Sequence, residues 1–381
     1  MAPALVRTDW LRVALLFAAG LLAAAQFGKV SLTLAEVAAA YGRDVAGVSV
    51  LVSLVSVTGV LFGAVAGMIV ARYGARRMLL LALLLGGALS LVQALLPPFP
   101  LLFATRLFEG VSHLTIVVAA PTAMAAAAGP KDQPVVMGIW GMFFGVSFAL
   151  AALIFPRVLE TGALPLLFCL HGLLMWALAG ALWRTMPAVK LPRTTRRDGL
   201  LAEHLAIYTT PATLAPALVF VWHTLGFVAL LTFVPPLLGW GGSLLPLMSL
   251  AGTFLAGVLA RRIAPLRLAF SAFCASLPLA LLIAALPGVL APLMVPFFLL
   301  MGIIPGAAFA AIPALNATPG GRARASGAVA QLGNVGTALG TPLFALTLDH
   351  GLSGLMMMAA VLPACGALLI LLIHIKLPRN A

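Results

Sequence analysis

The stretch "RLFEGVSHLTIVVAAPTAM", Arg106 to Met124, places an arginine, a glutamate and a histidine at the head of an otherwise apolar run. Whether that run is a soluble core helix or a membrane span depends on the rest of the chain. Of 381 residues, 63% are hydrophobic and 8% are charged, too little polar surface to cover a water-soluble fold. Apolar runs of about 18 to 28 residues recur throughout, each long enough to cross a hydrocarbon layer of about 30 Å as a helix. Twelve such runs are predicted, at residues 10–38, 46–70, 78–96, 100–128, 135–158, 164–186, 212–238, 243–261, 267–286, 290–316, 325–348 and 353–375. The expected fold class is therefore an all-α polytopic membrane protein. The first run follows Arg7 and Arg12 and shows no small-residue cleavage site, so it is expected to be retained as a span.

A net charge of +13 could point to nucleic acid, but the placement of the charges argues otherwise. With a cytoplasmic N-terminus, 18 of the 22 Lys and Arg residues fall in segments that face inward, leaving Lys29, Arg43, Arg106 and Arg157 elsewhere. Such alternation is the positive-inside pattern. It predicts a multi-pass protein of the plasma (inner) membrane with both termini cytoplasmic, anionic lipid facing the basic loops, and no nucleic-acid partner. Cys169, Cys274 and Cys365 lie in separate apolar runs without metal-ligand spacing. No nucleotide fingerprint or nucleophile elbow is present by inspection, so neither a cofactor nor an enzymatic activity is expected.

The longest polar interval, 187–211, separates two sets of six spans, which predicts bundles at 1–186 and 212–381 joined by a cytoplasmic loop. Within the interval, "GLLAEHLAIY" reads as a short surface helix turning Leu201, Leu205 and Tyr208 toward lipid. The two sets also repeat. "EGVSHLTIVVAAPTAM" aligns with "MGIIPGAAFAAIPALN", so that Gly110 and Pro121 precede Gly302 and Pro313 by 192 residues. "GMIVARYGARR" aligns with "GVLARRIAPLR", with Gly67 lying 190 residues before Gly257. Two matches at nearly one offset indicate a duplicated six-helix unit.

On these residues the chain resembles the major facilitator superfamily. Between its second and third spans that family carries G-x-x-x-D-R-x-G-R-R/K, matched here by Gly67, Arg72, Gly74, Arg76 and Arg77, with Ala71 at the acidic position. In the family that acid helps latch the cytoplasmic side of the bundles, so its loss puts the latch in question. The fourth-span pattern R-x-x-Q-G is matched by Arg106 and Gly110, with Glu109 in place of glutamine. Gly138, Gly141 and Gly145 of the fifth span lack the proline of an antiporter motif. The resemblance implies two pseudo-symmetric six-helix bundles and transport by alternating access, with the first and fourth spans of each half lining a central cavity.

At 100° per residue Arg106, Glu109 and His113 share one face of span four. Gln26, Lys29, Thr33 and Glu36 form a similar stripe on span one. The second half offers Trp222 and His223, with Phe298, Met301 and Pro305 at the places equivalent to the charged trio. A charge at the bilayer middle costs at least about 2.5–3.5 kcal/mol, so these residues need partners or a function. Gln26, Lys29, Thr33, Arg106, Glu109, His113, Trp222 and His223 are the candidate substrate or coupling residues, and Glu109 is the candidate proton carrier. The expected activity is proton-coupled movement of a small anionic or zwitterionic solute by a monomer. Two alternatives stay open: proton-driven efflux of amphipathic compounds, and a non-transporting receptor on the same scaffold. The charged trio could also be a satisfied network inside its bundle. Glycines at spacing four, Gly59, Gly63 and Gly67 on span two, with Gly336 and Gly340 on span eleven, form faces that allow close helix approach, and the resemblance implies that these two spans face each other between the bundles.

Overall fold

The computed structural model describes residues 7–43, 45–187, 205, 207–234, 237–238 and 244–376, and among these the chain is helical with short turns and no strand. The reason is the solvent: in hydrocarbon each backbone N–H and C=O must be satisfied within its own segment. The first half holds α1 (Trp10–Ser31), α2 (Leu34–Ala40), α3 (Val45–Tyr73), α4 (Ala75–Ala94), α5 (Phe99–Ala127), α6 (Gln133–Gly141) and α7 (Phe143–Thr185). The second holds α8 (Pro211–Phe233), α9 (Leu245–Leu259), α10 (Pro265–Ala285), α11 (Met294–Leu315), α12 (Pro319–Ala345) and α13 (Gly351–Lys376). Ten stretches are long and apolar enough to span unaided; α9, with 15 residues, and the more polar α12, with 27, complete the twelve.

Local chemistry sets several boundaries. Asp9 caps α1 by accepting the Arg12 N–H at 3.0 Å, and Thr318 caps α12 by accepting the Gly321 N–H at 3.1 Å. Prolines open α8, α10 and α12, where a missing N–H removes nothing. Gly74, at φ +86°, makes the sharp turn between α3 and α4 that a side chain would strain.

Helical backbone runs unbroken from Phe143 to Thr185, yet it contains two spans. Ser147 donates to Leu21 O and His171 bonds the adjacent Leu22 O. Those two residues would be about 36 Å apart on a straight helix, so the chain must fold back between them. Span one departs from its expectation in the other direction. It stops at Ser31, turns, and restarts as α2, which leaves Glu36 exposed and removes it from the stripe of Gln26, Lys29 and Thr33.

The duplicated halves repeat their packing as well as their sequence. A Cβ on Gly110 would meet Thr58 and Val55 O of α3, and one on Gly302 would meet Ser249 of α9, so span four crosses span two as span ten crosses span eight. Between the halves, Gly67 crosses Gly327 and Gly257 crosses Gly138, each pair so close that an added Cβ would lie within about 3 Å of the opposing backbone. Gly59 and Gly63 continue the first crossing against Asn334 and Gln331. The expected partners Gly336 and Gly340 are not part of it. They face Thr224 and Leu225 of α8, inside the second half.

Both crossings lie near the end that carries Arg72, Arg76, Arg77, Arg261, Arg262, Arg322 and Arg324, here called the basic end. A buried cluster there joins Ala119, Met124 and Trp140 of the first half to Phe309, Ala323 and Ala328 of the second. The described close contacts between halves run from the basic end to about the middle of the helices. Tyr208 belongs to this junction: its hydroxyl bonds Gln331 Oε1 rather than facing lipid as expected, while Leu205 is exposed. Leu201 and most of the 187–211 interval lie outside the described residues.

Candidate transport site

Glu109 is the centre of the charged cluster. Its Oε1 lies 2.5 Å from Lys29 Nζ on α1, and its Oε2 accepts from Arg106 Nη1, one helical turn away on α5, at 2.5 Å. Gln93 of α4 donates to the same Oε2 at 3.0 Å. Arg106 also donates from Nη1 to Gln26 O at 2.7 Å and from Nε to Leu51 O at 3.0 Å, tying α5 to α1 and α3. Lys29 donates to Ser90 Oγ at 2.7 Å. That hydroxyl is 3.0 Å from His171 Nδ1, whose ring Nε2–H reaches Leu22 O. Gln26 donates to Ser112, which donates to Ala82 O. Thr33 donates back to Lys29 O.

Gln26, Lys29, Thr33, Arg106 and Glu109 are all fully buried. The cluster is therefore a network inside the first bundle, reaching α1, α3, α4, α5 and α7, and its members do not line an open surface. It is also unbalanced: two cations share one carboxylate, and Arg106 Nη2 is buried without a protein partner. Taking such a set out of water costs several kcal/mol per ion unless geometry and hydrogen bonds repay it. Nearly every remaining donor here is paired, which is how the chain meets that cost.

His113 and His223 are placed differently. His113 Nδ1 lies 2.8 Å from Ala23 O, and His223 Nδ1 lies 3.0 Å from Met301 O. A carbonyl can only accept, so each Nδ1 carries the proton, and a neutral ring then offers Nε2 as an acceptor. Neither Nε2 has a protein partner among the described residues. At 1.5 Å per residue both rings sit roughly 20 Å from the basic ends of α5 and α8, one in each half at matching depth. Each is wrapped by rings: Phe27 meets His113 edge-on at 4.9 Å, while Phe220 and Phe227 stack on His223 at 6.1 and 4.8 Å.

A band of aromatic side chains connects these positions along the junction. Trp140 stacks on Phe143, Phe143 meets Phe144, and Phe144 touches both Phe27 and Phe148. In the second half Phe309 packs on Phe220 and lies against Gly141 of the first. Trp222 is half-buried, and its indole N–H, like that of Trp140, is buried without a partner. Sequence reading passed over this band, although "GIWGMFFG" signals it: glycines on one face of α6 and α7 leave aromatics on the other. It also missed Ser90, Gln93 and His171, because lone polar residues on separate spans show no spacing that would join them.

The loop motif is a structural device. Gly67 makes the crossing with α12, and Arg76 donates to Trp183 O at 2.9 Å. Arg72 and Arg77 lie over the Tyr73 ring. Ala71 faces Gly320 in the first turn of α12, so the position the family fills with an acid does look across to the second half, with a methyl group in place of a carboxylate. The ion pair across the basic end is instead Asp132 with Arg261, at 2.8 Å, and Asp132 also accepts from Thr8.

This architecture has two six-helix halves that cross at paired glycines at the basic end, with aromatic rings along the junction. The chain belongs to the Major Facilitator Superfamily, whose sequence pattern it matches over residues 16–341. Its fold is similar to that of a superfamily proton:xylose symporter, XylE, bound to 6-bromo-6-deoxy-D-glucose, at 13% identity and TM-score 0.71, covering 96% of this chain and 94% of that one. It is similar to the transporter FucP in an outward conformation, at 15% identity and TM-score 0.74, covering 95% and 98%. It is also similar to the human organic anion transporter MFSD10, at 18% identity and TM-score 0.69, covering 96% and 100%. No curated protein sequence matches the chain. As a member of this superfamily the protein is a secondary transporter.

Proposed function

We propose that the chain couples proton movement to transport of a small, largely apolar organic solute, and that coupling and binding use different residues. The observation that carries this reading is the sealed, unbalanced cluster: two cations on one carboxylate, fully buried in one half. A carboxylate clamped by two cations stays ionised, so in this reading the cluster takes up a proton only when helix movement separates Glu109 from Lys29 and Arg106. Alternating access would supply that movement, with water reaching the cluster from one side and then the other. Glu109 is the carrier, Arg106 and Lys29 hold its ionised form, and Gln93 and Ser90 position them.

We assign substrate binding to His113 and His223, each with one ring nitrogen unpaired among the described residues, to Trp222 with its unpaired indole N–H, and to the rings around them. These offer imidazole acceptors, one indole donor and aromatic faces, which suits an apolar body bearing hydroxyl or amine donors. An organic anion is the second reading, favoured by the cluster's excess cation and by the fold shared with a human organic anion transporter. The basic end is taken as cytoplasmic, in the plasma (inner) membrane, so the closed junction there belongs to an outward-facing state of a monomer. The bundles at 1–186 and 212–381 would rock about it, joined by the 187–211 segment.

A thermal-shift screen of hydroxylated and amine-bearing aromatic solutes against organic anions gives the first test. Flux of any hit into proteoliposomes, with and without an imposed pH gradient, gives the second. Glu109→Gln is expected to retain binding and lose the gradient dependence. Gradient-driven flux unchanged in that variant would remove Glu109 from coupling, and stabilisation by anions alone would replace the substrate assignment with the second reading.

A further inference from the structure

We infer that an anionic phospholipid binds in a groove on the outer wall of the second half at its basic end. A cavity of about 250 Å³ lies there between α10, α11 and α13. Its walls include Phe270, Ala314, Leu315, Ile370 and Leu371, and its one charged lining residue is Arg267. The apolar walls open toward the hydrocarbon side of the helices, where Leu371 is exposed, so the occupant is a molecule of the membrane and not a solute from water.

Three features at the mouth select a negative headgroup. Arg267 is exposed and has neither a carboxylate nor a hydrogen-bond partner among the described residues. It stands in the first turn of α10, which opens at Pro265, so the helix offers unpaired backbone N–H groups and its positive end at the same place. Arg262, also exposed, lies in the turn just before. Arg261 is engaged with Asp132 and contributes little. A phosphate held by Arg267 and the helix start would leave its acyl chain alongside Phe270 and Ile370. The matched pairing of cation, helix terminus and apolar trough fits an anionic phospholipid, since a free phosphate has no use for the trough, a lipid without phosphate none for the arginine, and a zwitterionic headgroup would bring its own cation beside Arg262 and Arg267. The site involves neither the charged cluster nor the junction, so it stands apart from the transport reading.

The test uses the full-length purified protein in detergent, with phosphatidylglycerol, phosphatidylcholine or inorganic phosphate added, read by native mass spectrometry and thermal unfolding. Phosphatidylglycerol is expected to be retained preferentially and to raise the unfolding temperature. Removing one arginine beside an anionic surface weakens attraction about fivefold, so Arg267→Gln should reduce the preference by that factor. Ala314→Trp, at an exposed position, should fill the trough and reduce retention of both lipids. Each variant is first compared with the parent without lipid, to establish that it folds. Equal retention of the two lipids by the parent, a preference unchanged in Arg267→Gln, or a full effect from phosphate alone would each overturn the assignment.

Discussion

The two halves place very different chemistry on one scaffold. At matching positions the first half has Arg106, Glu109 and His113, and the second has Phe298, Met301 and Pro305, all six buried. The crossings around them are alike: Gly110 lets α5 approach α3 as Gly302 lets α11 approach α9. In the second half that geometry is held by a continuous apolar core of Phe297, Phe298, Met301 and Ile304. In the first it is held by about a dozen directed hydrogen bonds and ion pairs. Since packing alone suffices for the fold, the charges of the first half are there for another purpose, and the contrast can be tested by removing them.

The largest effect is expected from breaking the cluster unevenly. Glu109→Leu leaves Lys29 and Arg106 buried without a counter-charge, which costs about 3–5 kcal/mol. Thermal unfolding of the purified variant should show a drop large enough to deplete the folded protein. Removing all three charges together, with Lys29→Met, Arg106→Met and Glu109→Leu, should recover most of that loss, as apolar replacements of buried ion sets often do. The triple variant should fold and bind yet show no gradient-dependent flux. If it is as unstable as the single variant, the cluster is structural and the first half is not a decorated copy of the second.

Much of this contrast was legible in the sequence. The offset joining Gly110 to Gly302 gave the repeat and the absence of charge in the second copy, and the structure adds that the same glycines serve the same crossings. Helical phase placed Arg106 and Glu109 together correctly. What phase cannot say is which way a face turns within a bundle, and here Arg106 and Glu109 are sealed inside the first one. Nor could it foresee that α1 stops at Ser31, which freed Glu36 from the stripe. The aromatic band is signalled only by the glycine phase of "GIWGMFFG", since phenylalanines in an apolar chain contrast little with their surroundings. The glycine pairs were recognised by spacing, but spacing did not choose partners: Gly67 met Gly327, and Gly336 met α8.

The junction itself gives the next effect. A Cβ on Gly67 would lie 2.7 Å from Ala323 O, and the clash exists only while the basic end is closed. Gly67→Val should therefore destabilise that state by about 1–3 kcal/mol, the usual cost of overpacking, with little effect on the fold. In a cysteine-free background, a cysteine placed at Gln331 should become more accessible to an impermeant reagent from the basic side, by roughly five- to hundred-fold. Unchanged labelling would mean that the crossing is static packing. Gly257→Val, at the related crossing with Gly138, should act alike if the two halves close symmetrically.

Binding should respond more modestly, and unequally between halves. Each histidine offers one acceptor, and a hydrogen bond to a neutral group contributes about 1 kcal/mol. His223→Phe keeps the ring stack with Phe227 and removes the Nε2 acceptor together with the Nδ1–H bond to Met301 O, so KM for the transported solute should rise about fivefold with little change in maximal rate, alongside a small loss of thermal stability. His113→Phe removes the same group but sits one turn from Glu109 on α5, so it should alter the pH dependence of flux as well. Identical behaviour of the two variants would show that binding and coupling are not divided between the halves as proposed.

The smallest effect tests how the basic end is latched where Ala71 replaces the family's acid. Asp132 and Arg261 join the halves at 2.8 Å, with side chains 31% and 45% exposed. An exposed pair of this kind contributes about 0–1 kcal/mol and weakens with salt. Asp132→Asn should leave thermal stability almost unchanged while raising basic-side accessibility of a cysteine at Gln331 no more than about fivefold, an increase that high salt should reproduce in the parent. Ala71→Asp tests the same account in reverse: a carboxylate facing Gly320 would meet the start of α12, where a negative charge is favoured, and should restore closure to Asp132→Asn. Restoration would mean that the two halves can be latched from either side of their symmetry axis, with Asp132 standing in for the acid that Ala71 lacks. Failure would mean that the latch depends on the position of Asp132 beside Arg261, and that a carboxylate at residue 71 does not replace it.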